Sequence, residues 1–339
     1  MKIFITGGAG FIGANCAHYF LERGHSIIIF DNFSRVGSQA NVQWLLDQHG
    51  GNRLQIINGD VRDYEALEGV IAGAEAVIHL ASQVAVTVSV QDPRQDFEIN
   101  ALGTFNVLEA VRHHCPEAAF LYASTNKVYG GMADVRIAEQ ETRYSYADYA
   151  AGIPESFPLA FHSPYGCSKG TGDQYTQDYA RIYGLRTVTF RQSCIYGQRQ
   201  FGVEDQGWVA HFIIAAVMKR LIRIYGDGKQ VRDLLHVYDL IRAYELSMEK
   251  MDKIRGEVFN LGGGPDNTLS IWVEFQPLLE SLAGRSIPIS QGDWRPGDQQ
   301  VFIANIQKAA DLLDWQPTIS PEEGIADLYA WVVANRDLF

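Results

Sequence analysis

Cysteine is scarce in this chain, and positive charge is outnumbered. The four cysteines, Cys16, Cys115, Cys167 and Cys194, lie far apart in 339 residues. No two stand at a metal-binding spacing, so no metal site is expected, and free thiols in a reducing cytoplasm are. Lys and Arg number 28 against 40 Asp and Glu, a net charge of -12. Non-specific nucleic-acid and anionic-membrane binding both need basic faces and are therefore not expected. A phosphorylated ligand held by a few arginines stays compatible with that charge. No apolar run is long enough to span a bilayer. There is no basic n-region with a cleavage site, no internal repeat and no low-complexity tract. What is present is a globular composition, 47% hydrophobic and 20% charged. The length suits one large domain or two coupled ones.

Short apolar runs alternate with longer amphipathic stretches. Strands are expected at Lys2–Thr6, Ser26–Phe30, Leu54–Asn58, Ala76–Leu80, Ala119–Ser124 and Thr187–Arg191. Helical patterns fall between them, among them Phe11–Glu22, Phe97–His113 and Tyr165–Tyr183. This alternation predicts an α/β fold, a doubly wound, Rossmann-like parallel sheet covered on both faces. The rhythm breaks after Arg191. The expected organisation is a dinucleotide-binding domain at 1–191 with a returning segment at about 234–262, and a smaller substrate-binding α/β lobe from 192–233 and 263–339. Val258–Leu261 is apolar enough to rejoin the main sheet. The stretch from Met132 to His162 is long for a connection, so it is either a decorated surface loop or a flap over substrate.

The first strand delivers the chain into Gly7, Gly10 and Gly13, with Phe11 and Ile12 opening a helix at once. Glycines there allow a tight turn, close backbone approach to a pyrophosphate and close helix–strand packing. The helix start then offers N–H groups and positive dipole to phosphate. The second strand runs into Asp31, placed to bind a ribose 2′-hydroxyl, with Asn32, Ser34 and Arg35 following. Asp31 argues for NAD, because a carboxylate repels a 2′-phosphate; Arg35 is the counter-indication. Asp60 and Val61 follow the third strand, where an adenine edge would be read. Leu80, Ala81 and Gln83 follow the fourth, at the carboxyl edge where ligands gather. Asn100 lies in a helical stretch, either at the cofactor or as a buried amide capping a loop.

Tyr165 and Lys169 stand four apart where a helix begins, so phenol and ammonium share one face. A neighbouring ammonium favours the phenolate and is expected to lower a tyrosine from about 10 toward working pH, giving a general base. Thr125 ends the fifth strand, at the same edge as the cofactor. Its hydroxyl is placed to bridge a substrate hydroxyl and the Tyr165 oxygen.

On Thr6-Gly7-Gly8-Ala9-Gly10-Phe11-Ile12-Gly13, Tyr165…Lys169, Gly228…Arg232-Asp233 and Arg295-Pro296-Gly297-Asp298, the chain resembles the extended short-chain dehydrogenase/reductase superfamily of sugar-nucleotide epimerases and dehydratases. The resemblance covers nearly the whole length. It implies that Thr125, Tyr165 and Lys169 form the catalytic group and that Lys169 also binds the nicotinamide ribose. It further implies that Arg232 and Arg295 hold a diphosphate, for which two guanidinium forks are suited. Dehydratases of this superfamily carry Asp-Glu directly after the threonine. Here the pair is Asn126-Lys127, which cannot serve as acid and base for loss of water. Reversible oxidation remains, and an epimer results if the ketone turns over before reduction.

A narrower resemblance is to the 2-epimerases of CDP-sugars. It rests on Ser124–Gly130, Phe161–Lys169, Asp205–Val209, Gly228–Asp233 and Asp298–Phe302. It implies oxidation at C2, tightly held NAD, and a sugar pocket lined by Gln83, Asn126, Gln206 and Trp208. Tyr225 and the arginines suit any pyrimidine nucleotide, and Asp298 is a further candidate substrate contact. Many relatives place an asparagine within the segment matching Gln192–Gly197, and this chain has none. A homo-oligomer, dimer or tetramer, is expected by analogy through paired helices. Three rivals stay open: a 4-epimerase of another nucleotide sugar, a simple reductase, and a non-catalytic NAD-binding sensor.

Overall fold

The structure, a computed structural model, describes residues 1–294 and 299–339. Its main element is a seven-stranded parallel sheet. The strands are β1 (Lys2–Thr6), β2 (Ser26–Asp31), β3 (Leu54–Asn58), β4 (Ala76–His79), β5 (Ala119–Thr125), β6 (Thr187–Gln192) and β7 (Val258–Leu261). Their spatial order is β7-β6-β5-β4-β1-β2-β3. The order reverses between β1 and β4, the crevice where such sheets bind ligands. In register, β1 lies between β2 and β4, Thr6 opposite both Phe30 and His79.

The strand sequences follow from burial. Ile27–Asp31 of β2 and all of β4 are buried, as expected of strands covered on both faces. The edge strand β3 is only half-buried or exposed along its length. Five helices pack around the sheet or carry site residues: α1 (Phe11–Glu22), α2 (Ser38–His49), α3 (Tyr64–Ile71), α4 (Gly103–His114) and α5 (Ser163–Tyr183). Phe4, Phe30, Val77 and Phe120 pack with Leu67 of α3 and Val107 and Val111 of α4 in one core cluster.

The expected helix over 97–113 is more complicated. A short helix at Pro93–Phe97 leads into a π-helical turn at Glu98–Leu102, and only then does α4 begin. Such turns cost regular hydrogen bonding and cluster at functional sites.

By its internal contacts the chain divides into two units: 1–128 with 163–191 and 241–259, and 129–162 with 192–240 and 260–339. The second has its own core, built on the helix Trp208–Val217, with Trp272, Phe275 and Trp331. Within it the 132–162 stretch is anchored. It forms a hairpin of Ile137–Glu139 and Tyr144–Tyr146. Tyr144 donates to Asp227 at 2.6 Å, Tyr146 to the Val301 carbonyl at 3.0 Å, and Arg143 pairs with Glu274. With Trp294, Gln299 and Val301 it lines a cavity of about 500 Å³. No helix among the described residues is long and apolar enough to cross a membrane.

Candidate active site

The glycine loop is built for close approach. Gly7 has φ +68°, and a β-carbon there would lie 2.7 Å from the Ala81 nitrogen. At Gly13 a β-carbon would meet the Gly7 carbonyl at 2.4 Å. Gly10 is the N-cap of α1; no side chain caps that helix and its first turn holds no acid. The chain leaves the start of α1 to an external anion, and this bare cradle fits a pyrophosphate. Phe11 and Ile12 open the helix, both half-buried.

Asp31 closes the other side of the loop. One carboxylate oxygen accepts the Ala9 N–H at 3.0 Å and the other the Phe33 N–H at 2.8 Å. Phe33 takes a left-handed φ of 56°, a strained conformation for a bulky residue. Burial raises the Asp31 pKa, partly opposed by those two donors. Asn32 donates to Asp60 at 2.9 Å and accepts the Ser34 N–H at 3.1 Å. Arg62 is bidentate to Asp60, at 3.0 and 2.8 Å, and holds that carboxyl at about 2 despite partial burial. Asp60 is therefore a carboxylate engaged on two sides. Arg35 is exposed. Val61 is buried against Gly103, and Leu80 and Ala81 donate backbone N–H groups to Thr6.

Thr125, Tyr165 and Lys169 come together and are nearly inaccessible, at 7%, 8% and 4% exposure. Thr125 ends β5 and hydrogen-bonds Tyr165; it also accepts the Lys127 N–H at 3.3 Å and reaches the Asn126 amide oxygen at 3.3 Å. The α5 start is set by Ser163, whose left-handed φ of 64° turns the chain and whose hydroxyl accepts the Gly166 N–H at 3.2 Å.

The expected lowering of the Tyr165 pKa is corrected to a rise. Burial pushes the phenol up to about 12, and the Asp96 charge adds to that; only the Thr125 hydrogen bond opposes it. Burial also pulls Lys169 down to about 7, against the raising effect of Asp173 and Asp96. The Lys169 ammonium lies 4.4 Å from the Tyr122 ring centre. Helical spacing placed the two groups on one face, but desolvation rather than their mutual charge dominates both.

Asn100 and Gln83 are fully occupied. The Asn100 amide accepts from the Ser82 hydroxyl and Gln83 N–H, both at 2.8 Å, and donates to the Gln83 carbonyl, Asp96 and Ser168. It braces the loop after β4, the buried-amide alternative. Gln83 donates to Asp96 and to the Ala85 carbonyl, each at 2.8 Å.

Sequence reasoning missed the polar groups behind this cluster. Asp173 pairs with Arg191 at 3.0 Å with both buried, and accepts the Ser124 hydroxyl at 2.8 Å. His79 sits between Thr6 and Thr104, its pKa pulled down to about 3 by burial and the Lys169 charge. A local signal existed for Asp173, one turn after Lys169 on α5, and none for Arg191 or His79, which come from other strands.

The remaining candidates lie in the second unit. Arg232 is buried and donates to the Val231 carbonyl at 2.8 Å. Tyr225 donates to Glu204 at 2.5 Å under the Arg223 guanidinium. Trp208 packs on Phe275, and Gln206 bridges Val203. Cys194 packs on that unit's core. Arg295 and Asp298 lie outside the described residues. Among the described residues, one group could hold a metal ion: His18, Glu22 and His49, on the later turns of α1 and at the end of α2, away from the glycine loop.

A reversing parallel sheet, a glycine cradle at its first strand and a Thr–Tyr–Lys cluster at the fifth define an extended short-chain dehydrogenase/reductase. The chain belongs to the family described as GDP-mannose 4,6 dehydratase, whose model matches residues 4–328. It is 44% identical to a CDP-paratose 2-epimerase of Salmonella typhi over 98% of this chain and 99% of the relative. A putative UDP-glucose 4-epimerase of Methanocaldococcus jannaschii is 30% identical over 98% and 99%. The crystal structure of a UDP-glucuronic acid 4-epimerase from Bacillus cereus, in complex with UDP-glucuronic acid and NAD, superposes with TM-score 0.84 at 27% identity, covering all of both chains.

Proposed function

We propose that this protein is an NAD-dependent nucleotide-sugar epimerase that converts CDP-paratose to CDP-tyvelose by inversion at C2. The 44% identity to a CDP-paratose 2-epimerase along nearly the whole chain carries the choice of base and carbon. Asn126-Lys127 argues against dehydration, since neither residue is the acid or base that loss of water needs.

The first unit holds NAD. The N–H groups at Gly10–Gly13 would hold the pyrophosphate; Asp31, with Asn32, Ser34 and Arg35, would hold the adenosine ribose; Asp60 and Val61 would border the adenine; and Leu80, Ala81 and Asn100 would form the wall after β4. NAD supplies a reversible hydride acceptor and a positive charge. Thr125 orients the sugar hydroxyl toward Tyr165, and Tyr165 takes its proton and later returns it. Lys169 holds the nicotinamide ribose and offsets the phenolate charge. With burial pushing its pKa up to about 12, the Tyr165 phenol is almost wholly protonated at neutral pH, so it serves as a base when added positive charge favours its ionised form.

The second unit supplies contacts for the nucleotide sugar: Arg232 and Arg295 for the diphosphate, Tyr225 for the nucleoside with Asp298 as a further contact, and Gln206 and Trp208 for the hexose. The protein is cytoplasmic and a homo-oligomer. Phe105 of α4 and Tyr175 of α5, 38% and 45% exposed and stacked edge-on at 5.9 Å, offer the apolar face for a four-helix contact.

CDP-paratose deuterated at C2 tests the reading. The expected product is CDP-tyvelose retaining its label, with no solvent hydrogen gained there. Washout of the label refutes internal hydride return. Inversion of UDP-glucose at C4 in place of the CDP-sugar reaction substitutes the 4-epimerase reading, to which the Methanocaldococcus relative points.

A further inference from the structure

Asp96 lies in the short helix before the π turn and is 1% exposed. Its carboxylate joins three segments distant in sequence. It accepts the Ser168 hydroxyl at 2.5 Å, the Gln83 amide at 2.8 Å and the Asn100 amide at 3.1 Å. All three donors are neutral. A buried anion without a bonded cation is costly, and an asparagine could hold much of the same geometry. Burial raises the Asp96 pKa, opposed by the Ser168 and Gln83 donors and by the Lys169 charge, so a charge on Asp96 acts beyond its own hydrogen bonds.

The groups around Lys169 indicate where. Asp173 bears on it from α5, where Tyr165 stands one turn before it, Tyr122 faces it from β5, and His79 bears on it from β4. Asp173, the stronger of the two carboxylates acting on the lysine, is also paired with Arg191 of β6 at 3.0 Å. Asp96 is the other carboxylate whose field reaches the lysine.

We propose that Asp96 is a positioning residue for the reaction: it clamps the Gln83 loop and the Asn100 turn to α5 at Ser168, and its negative charge favours the ammonium form of the buried Lys169. This rests on the reading of Tyr165 and Lys169 as catalytic groups. Asp96 acts through Ser168, Gln83 and Asn100, the side chains it bonds. It governs how the helix bearing both catalytic groups sits against the loop after β4.

The test uses the NAD-loaded protein with Asp96→Asn, Asp96→Glu and Ser168→Ala. Two readouts are needed: the pH profile of CDP-paratose turnover, and the titration of Lys169 by NMR of labelled lysines, assigned with Lys169→Arg. Asp96→Asn is expected to lower kcat by about tenfold to a hundredfold, with KM and NAD content near the parent's. It moves the alkaline limb of the profile and the Lys169 titration together to lower pH. Asp96→Glu returns both toward the parent position. Ser168→Ala lowers kcat but leaves the limb in place, which tests the clamp even if Asp96→Asn does not fold. An unshifted limb and lysine titration in Asp96→Asn, or an unchanged kcat in Ser168→Ala, overturns the proposal. The lysine titration is read without substrate. Lack of turnover by the parent protein thus refutes the assigned reaction and leaves the Asp96–Lys169 coupling decided by its own measurement.

Discussion

Gly13→Ala is the sharpest probe of the cofactor cradle. The added β-carbon would lie 2.4 Å from the Gly7 carbonyl oxygen and 2.5 Å from the Gly8 α-carbon, against ordinary contacts of 3.4–4 Å. Both neighbours are backbone, so no side chain can swing aside. The start of α1 must move away from the loop by about 1 Å, because a packed interior has no slack to absorb the methyl. Overpacking of this kind costs about 1–3 kcal/mol, a fall in Tm of about 2–4 °C per kcal/mol for a unit of this size. The same displacement moves the N–H groups intended for pyrophosphate, and an error of that scale costs roughly a hundredfold in a positioned interaction. The assay is the NAD content of the purified protein, with melting curves at rising NAD. Gly69→Ala is the control: Gly69 lies within α3 with nothing within 4 Å of its added carbon, so it should stabilise by about 0.4–1 kcal/mol and leave NAD untouched. A Gly13→Ala protein that melts with the parent and holds as much NAD refutes the close-approach argument.

Tyr165→Phe should retain NAD and fold normally while turnover falls by about 10²–10⁴-fold; unchanged turnover removes Tyr165 as the base. Lys169 carries a stability signature of its own. Its folded pKa is lowered from 10.5 to about 7 by burial, so the unfolded chain binds the proton more tightly. The penalty is complete below pH 7 and disappears as pH rises toward 10.5. Lys169→Met should therefore raise Tm most below pH 7 and progressively less above it, as melting curves across that range will read; an increment independent of pH contradicts the linkage.

Much of the scaffold was legible because its signals are local. Apolar runs of strand length located the sheet, and β1, β3 and β7 match their expected bounds. The glycine loop was readable because turn chemistry and steric need reside in a few consecutive residues. Tyr165 and Lys169 were placed on one face by helical spacing alone. The π turn was not legible: Phe97–His113 has the pattern of one regular helix, and its distortion goes with Asn100 bonding the Ser82–Gln83 loop and Ser168.

By itself, then, the sequence determined the alternating strands and helices, the glycine cradle, and the pairing of a phenol with an ammonium one turn apart. The tertiary structure decided what that pair is electrically. Burial raises the phenol and lowers the ammonium, and of the two carboxylates that bear on the lysine, Asp173 follows one turn on in the same helix while Asp96 arrives from elsewhere in the fold. Asp96 meets Ser168 across 72 residues of chain, a separation at which no spacing rule operates. Desolvation and long-range charge depend on which side chains exclude water around a group, and only the folded chain specifies that.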